Sequence, residues 1–290
     1  MTAPIEPGVP SATDVPKESP RTILVQFVLL PLGVVLVGVA VFLLFGKLAS
    51  EEHSIPDYVN EIRSGGRHER WQAAYQLSKS IQRGEAKKYP DLEPQIAAIY
   101  GQSKNDDPRI RRYLSMVLGQ LGDRRATPLL LDALGDRDVE TRLYALLALG
   151  QLRDPAALPR LQQAAADEDK DVRKTALYAL GEMGDSRAVP TLAAALTDQT
   201  PDVRWNAAVA LSGFGDKRAL SAVHEMLDRS HLDQIAGMRD DQKEDVMISG
   251  MTALLKLAGR DSIPDLQRIA NSDKSLRVRD AARSAVASLK

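Results

Sequence analysis

The stretch DVRKTALYALGEMGDSRAVPTLAAALTD, residues 171–198, decides the fold. It reads as two helices joined by a turn. Asp171 is placed to cap the first, along which Val172, Ala176, Ala179, Leu180 and Met183 form one stripe at helical spacing. Gly184 ends it, because glycine reaches the left-handed C′ conformation without a Cβ penalty. Asp185 is then placed to cap a second helix. Pro190 falls in its first turn, where a missing N–H costs little, and Leu192 and Leu196 supply its apolar face. Residues 198–202 read as a tight turn, after which the pattern starts again.

Working outward, the same signals return every 31 residues. Arg111, Arg142, Arg173 and Arg204 form one column, and Leu118, Leu149, Leu180 and Leu211 another. Asp123, Asp154, Asp185 and Asp216 keep the spacing, as do Ala126, Ala157, Ala188 and Ala219, and Pro128, Pro159 and Pro190. RWQAAYQL at 70–77 matches RWNAAVAL at 204–211, so a repeat precedes the regular array, set off by about ten extra residues near 83–90. LRVRDAARSAV at 276–286 extends the pattern, and HLDQIAGMRDDQK at 231–243 is an insertion. One helix pair cannot bury both of its faces, whereas stacked pairs bury a continuous core. The expected fold is therefore all-α, a solenoid of about seven helix pairs over residues 55–290.

The repeating pattern D-V-R-x-x-A-x-x-A-L-G-x-x-G-D-x-R-A-x-P-x-L-x-x-A-L-x-D resembles the HEAT-like repeats first named for phycobilisome lyase subunits. The resemblance covers roughly residues 55–290. It implies a right-handed, armadillo-type α-solenoid whose second helices line the concave side, and a role as a binding surface or regulatory scaffold. It does not fix a partner. Within that family deoxyhypusine hydroxylase binds iron through His-Glu pairs directly before the Ala-Ala of the repeat. Here those positions hold Trp71-Gln72 and Trp205-Asn206, while His68-Glu69 and His224-Glu225 lie elsewhere, so the iron site is not carried over.

Composition narrows the chemistry. A net charge of −1 gives no basic field for nucleic acid, and the absence of cysteine removes disulfides, thiolate metal sites and a cysteine nucleophile. The four histidines are scattered, and no phosphate loop or G-x-S-x-G motif occurs. The Asp and Arg columns read as helix caps and an inter-repeat ion-pair ladder, since a catalytic group would be unique rather than repeated. No cofactor and no catalytic or metal residue is expected.

Residues 22–46 are apolar and carry no charge, with Arg21 and Lys47 as flanks, and read as a single transmembrane helix kinked at Pro31. Residues 1–21, with five prolines, read as a disordered tail, and 47–54 as a linker. Lys17 and Arg21 against Lys47 lean toward a tail inside and a solenoid on the non-cytoplasmic side.

The face of the second helices opposite the core stripe carries Trp71 and Tyr75, Arg112 and Met116, Leu143 and Leu147, Lys174 and Tyr178, and Trp205 and Val209. In the sixth and seventh pairs the positions become Ile248 and Thr252, then Asp280 and Ser284, so the face turns polar at the C-terminus. Two readings stand. Curvature buries these side chains between repeats, or they form an exposed apolar groove for a protein partner. The insertion either projects a binding loop or is tolerated drift. The expected function is a membrane-anchored scaffold or adaptor, not an enzyme, holding an unknown and possibly membrane-bound protein in the groove. The alternatives are a HEAT-like lyase or hydroxylase subunit, and an architectural module acting through its convex surface.

Overall fold

The computed structural model describes residues 29–49 and 53–289. The expected tail at 1–21, residues 22–28 of the expected span and residues 50–52 of the linker lie outside the described residues. The chain divides between His53 and Ser54 into two units.

The first unit contributes one helix, α1 (Leu30–Ala49). Among its described side chains the apolar ones are exposed, Val34 by 65% and Phe42 by 76%. Among the described residues no helix is long and apolar enough to cross a membrane. The uncharged part of α1, residues 30–46, rises roughly 25 Å against a hydrocarbon core of ~30 Å. The single-pass anchor read at 22–46 is therefore not supported, nor is placement of the solenoid on the non-cytoplasmic side of a membrane.

The second unit is an all-helical repeat array, with no strand among the described residues. Its first three pairs are α2 (Ile55–Ser64) with α3 (Arg67–Gln82), α4 (Leu92–Gln102) with α5 (Pro108–Leu121), and α6 (Thr127–Ala133) with α7 (Val139–Leu152). Next come α8 (Leu158–Ala164) with α9 (Lys170–Met183), and α10 (Val189–Ala194) with α11 (Pro201–Gly213). The sixth pair is α12 (Leu220–Leu227) and α14 (Asp240–Ala258), with a short α13 (Arg229–Gln234) between them. The last is α15 (Ile263–Ser272) with α16 (Leu276–Ala287). The second helices pack in one row, each on the next: α3, α5, α7, α9, α11, α14, α16.

Each column has a mechanical task. The Leu column (118, 149, 180, 211) and the Ala column (126, 157, 188, 219) are fully buried and form the spine of the core. The Asp column opens a 3-10 turn: Asp185 accepts the Arg187 N–H at 3.0 Å and also binds its guanidinium, and Asp123 and Asp216 repeat the arrangement. Pro190 then stands in the first turn of α10, and Gly184 closes α9 with φ +71°. The cap of α9 is displaced from its expected place. Asp169 accepts the amides of Asp171 and Val172, while Asp171 sits inside the first turn and pairs with Lys174 at 2.9 Å. Both carboxylates face the positive end of the helix, so the two positions compete, and the turn geometry selects Asp169.

The Arg column stitches repeats together. Arg111 donates to Asp136 at 2.6 Å, and Arg173 makes two bonds to Asp198. Arg142, Arg173, Arg204 and Arg279 each donate to the carbonyl six residues upstream, tying the helix to its preceding turn. At position 229 the pattern would place an acid, but Arg229 stands there. Arg204 accordingly binds Glu225, and Arg229 reaches Asp273 in the last pair at 2.9 Å.

A further column was not read from the sequence. Cβ atoms added at Gly119, Gly150 and Gly181 would lie 2.8 Å from an atom of Ala148, Ala179 and Ala210 respectively. Successive second helices touch backbone to backbone at these points. The column ends at Ser212, at the last second helix before the insertion.

Candidate functional site

The ten side chains marked on the second helices do not form one uniform strip. Trp71, Tyr75, Arg112, Met116, Leu143, Leu147, Lys174 and Val209 are half-buried, Tyr178 is 47% exposed and Trp205 only 2%.

Toward the first repeats they join an aromatic ladder. Trp71 stacks on Tyr113 with ring centres 6.4 Å apart, Tyr75 lies 5.2 Å from the same ring, and Tyr144 meets it edge-on at 6.3 Å. The Arg109 guanidinium covers Trp71 and the Lys79 ammonium covers Tyr75, each at 4.3 Å, so cations of the chain already occupy these ring faces. Arg112 is committed as well, with two bonds to Asp138. The Arg112 guanidinium holds the Asp138 carboxyl down at about 2 despite partial burial. Tyr113 and Tyr144 were absent from the sequence-derived set, although their spacing of 31 was the available signal.

The second grouping is a cleft of about 670 Å³ beside the insertion. Lys174, Tyr178, Trp205 and Val209 line it from α9 and α11, Met226 from α12, and Gln242 and Val246 from α14. Ile235, Ala236, Gly237 and Met238 of the insertion supply a wall. Burial pushes the Tyr178 hydroxyl pKa up. Lys170 and Lys174 stand on one side, Asp202 and Asp245 elsewhere around the rim. The Trp205 indole Nε1 is buried and has no hydrogen-bond partner. Such a lining is suited to mixed apolar and polar contact. Arg112, Met116, Leu143 and Leu147 do not reach this cleft.

The two His-Glu pairs serve local structure. The His68 ring touches Trp71 and Gln72, and Glu69 accepts the Gly66 amide as a capping group. Glu225 binds Arg204, and His224 lies 3.7 Å from Asp265. Among the described residues no group of three or more His, Asp or Glu side chains is placed to hold a metal ion.

Residues 96–175 and 159–237 match the family described as HEAT repeats. These are HEAT repeats. No curated protein matches the chain. The HEAT array is similar in structure to the complex of CpcE and CpcF of phycocyanin lyase from Nostoc, at a TM-score of 0.53 and 18% identity, over 82% of this chain and 95% of that one. Human deoxyhypusine hydroxylase is similar at a TM-score of 0.38 and 22% identity, over 83% and 97% of the two chains. A designed armadillo repeat protein aligns at a TM-score of 0.40 and 16% identity, over 82% and 100%. At 18% identity the likeness to the first of these concerns the fold alone.

Proposed function

We propose that this HEAT-repeat protein is a non-enzymatic scaffold whose cleft between α9, α11 and the insertion holds an extended segment of a partner protein. The cleft itself carries the reading. A regular array offers equivalent stations along its whole length, whereas here the insertion converts two of them into a walled recess of about 670 Å³. Within it an exposed Tyr178 faces the same space as Val209, Ile235 and Met238. Exposed tyrosine with apolar neighbours and a charged rim is the composition of interface anchor points. Lys170 and Lys174 against Asp202 and Asp245 supply both signs of charge at the rim, which favours one orientation of a bound chain.

Panning a displayed peptide pool against the full chain tests this directly. Recovered peptides are expected to bind the wild type and to lose roughly tenfold or more in affinity with Tyr178→Ala or Val209→Asp. Tyr144→Ala, in the aromatic ladder, should leave binding unchanged. A pool that yields no binder, or binders indifferent to both cleft substitutions, rejects the proposal.

A further inference from the structure

Trp205 and Trp71 occupy equivalent stations, yet Trp71 is half-buried and Trp205 is 2% exposed. A distinguishing feature of the Trp205 station is the insertion, whose residues line the same cleft as the indole. Gly237 turns the chain there with φ +76°. Two ion-pair groups hold the insertion down. Arg229 binds Asp273 of the last pair through two bonds, and Asp233 accepts from both Lys243 at 3.0 Å and Lys274 at 3.1 Å.

We propose that residues 233–239 form a closing strap over Trp205, latched to the last repeat through Asp233. The energetics make a two-position element of it. Closing packs the half-buried Ile235 and Met238 against the core. It also removes water from the Trp205 Nε1–H, which has no protein acceptor. A buried donor without a partner is costly, so the closed position is opposed by the group it shields. The latch supplies the balance: Asp233 is shared between Lys243, itself only 8% exposed, and the exposed Lys274. The ends of the strap are firm, with Leu232 fully buried on one side and the Arg239 amide capped by Gln242 at 3.0 Å on the other. Motion is thereby confined to the segment around Gly237. This inference does not require the cleft to be a binding site.

The full chain contains two tryptophans, so indole N–H exchange with deuterated water follows Trp71 and Trp205 as separate resonances. Trp205 is expected to exchange far more slowly than Trp71. Asp233→Asn removes the charge from the latch and should speed Trp205 exchange roughly tenfold, equivalent to about 1.4 kcal/mol, without altering Trp71. Lys274→Ala removes only the outer arm, from an exposed position that the fold tolerates, and should speed it about threefold. Unchanged Trp205 exchange in both variants overturns the strap. So does equal acceleration of both indoles, which would make Asp233 a support of the whole array.

Discussion

At the scale of single residues, the close approach at Gly150 is a tight constraint on the array. In an exposed helix Gly→Ala stabilises by up to ~1 kcal/mol through backbone entropy. At Gly150 the new Cβ would stand 2.8 Å from the Cα of Ala179, which is backbone and cannot swing aside. Overpacking of this kind costs about 1–3 kcal/mol, so Gly150→Ala should lower the denaturation midpoint. Gly101→Ala, whose nearest neighbour is a Leu129 methyl at 3.9 Å, should leave it level or raise it. Chemical denaturation of the two variants separates the effects. The sequence shows glycine at 119, 150 and 181 as plainly as it shows leucine one position earlier. Its meaning was not legible there, because a helical glycine signals a close contact only when the opposing backbone is known.

Between elements, a largely buried tie runs from Arg111 to Asp136, joining α5 to the turn before α7. Arg111 is 4% exposed and its guanidinium also lies over the Tyr100 ring at 4.9 Å. Asp136→Ala leaves that buried cation without its hydrogen-bonded carboxylate and with only Asp132 at 3.9 Å, and a loss of about 3 kcal/mol is expected in equilibrium unfolding. The Arg112–Asp138 pair predicts a pH effect. Asp138 titrates at about 2 in the folded chain, below its ordinary 3.8. A depressed carboxylate contributes stability that is present above the ordinary pKa and is lost as pH falls through the folded value. The melting-temperature gap between wild type and Arg112→Ala should therefore be constant from pH 7 to about 5, narrow below about 4 and close near 2. The repeated spacing made such a ladder legible but left open whether each arginine meets an acid of its own repeat or of the next; the structure selects the next, through Asp136 and Asp198. The spacing did not reveal that Asp169 rather than Asp171 caps α9, because two acids within one turn satisfy the same pattern.

For the whole molecule, stability in a stacked array is a sum over neighbours. Interior pairs have two neighbours, whereas α2 and α16 stand at the ends of the row. Hydrogen exchange followed by mass spectrometry should find amides of α7, α9 and α11 slowest and those of α2 and α16 fastest. Equal protection along the row would mean that the array unfolds as one unit. The same one-dimensional logic explains why an insertion is tolerated in the sixth pair. It disturbs one interface and leaves the others intact, and it is at this disturbed interface that the cleft and the strap arise.

The sequence by itself determined the helices, their pairing and the core. A 31-residue period places leucine, alanine, aspartate and arginine at equivalent stations, and local capping and periodic burial need no further information. Tertiary structure alone decided which station became special. Trp71 and Trp205 stand at matching places in the similar motifs RWQAAYQL and RWNAAVAL, yet one is half-buried and the other 2% exposed in the folded chain. Likewise the apolar run near the start reads as a membrane span by composition, yet the described helix is too short in its uncharged part to cross one. Periodic signals are local and therefore written along the chain, whereas clefts, straps and shielded donors are products of contact between segments that the chain does not list side by side.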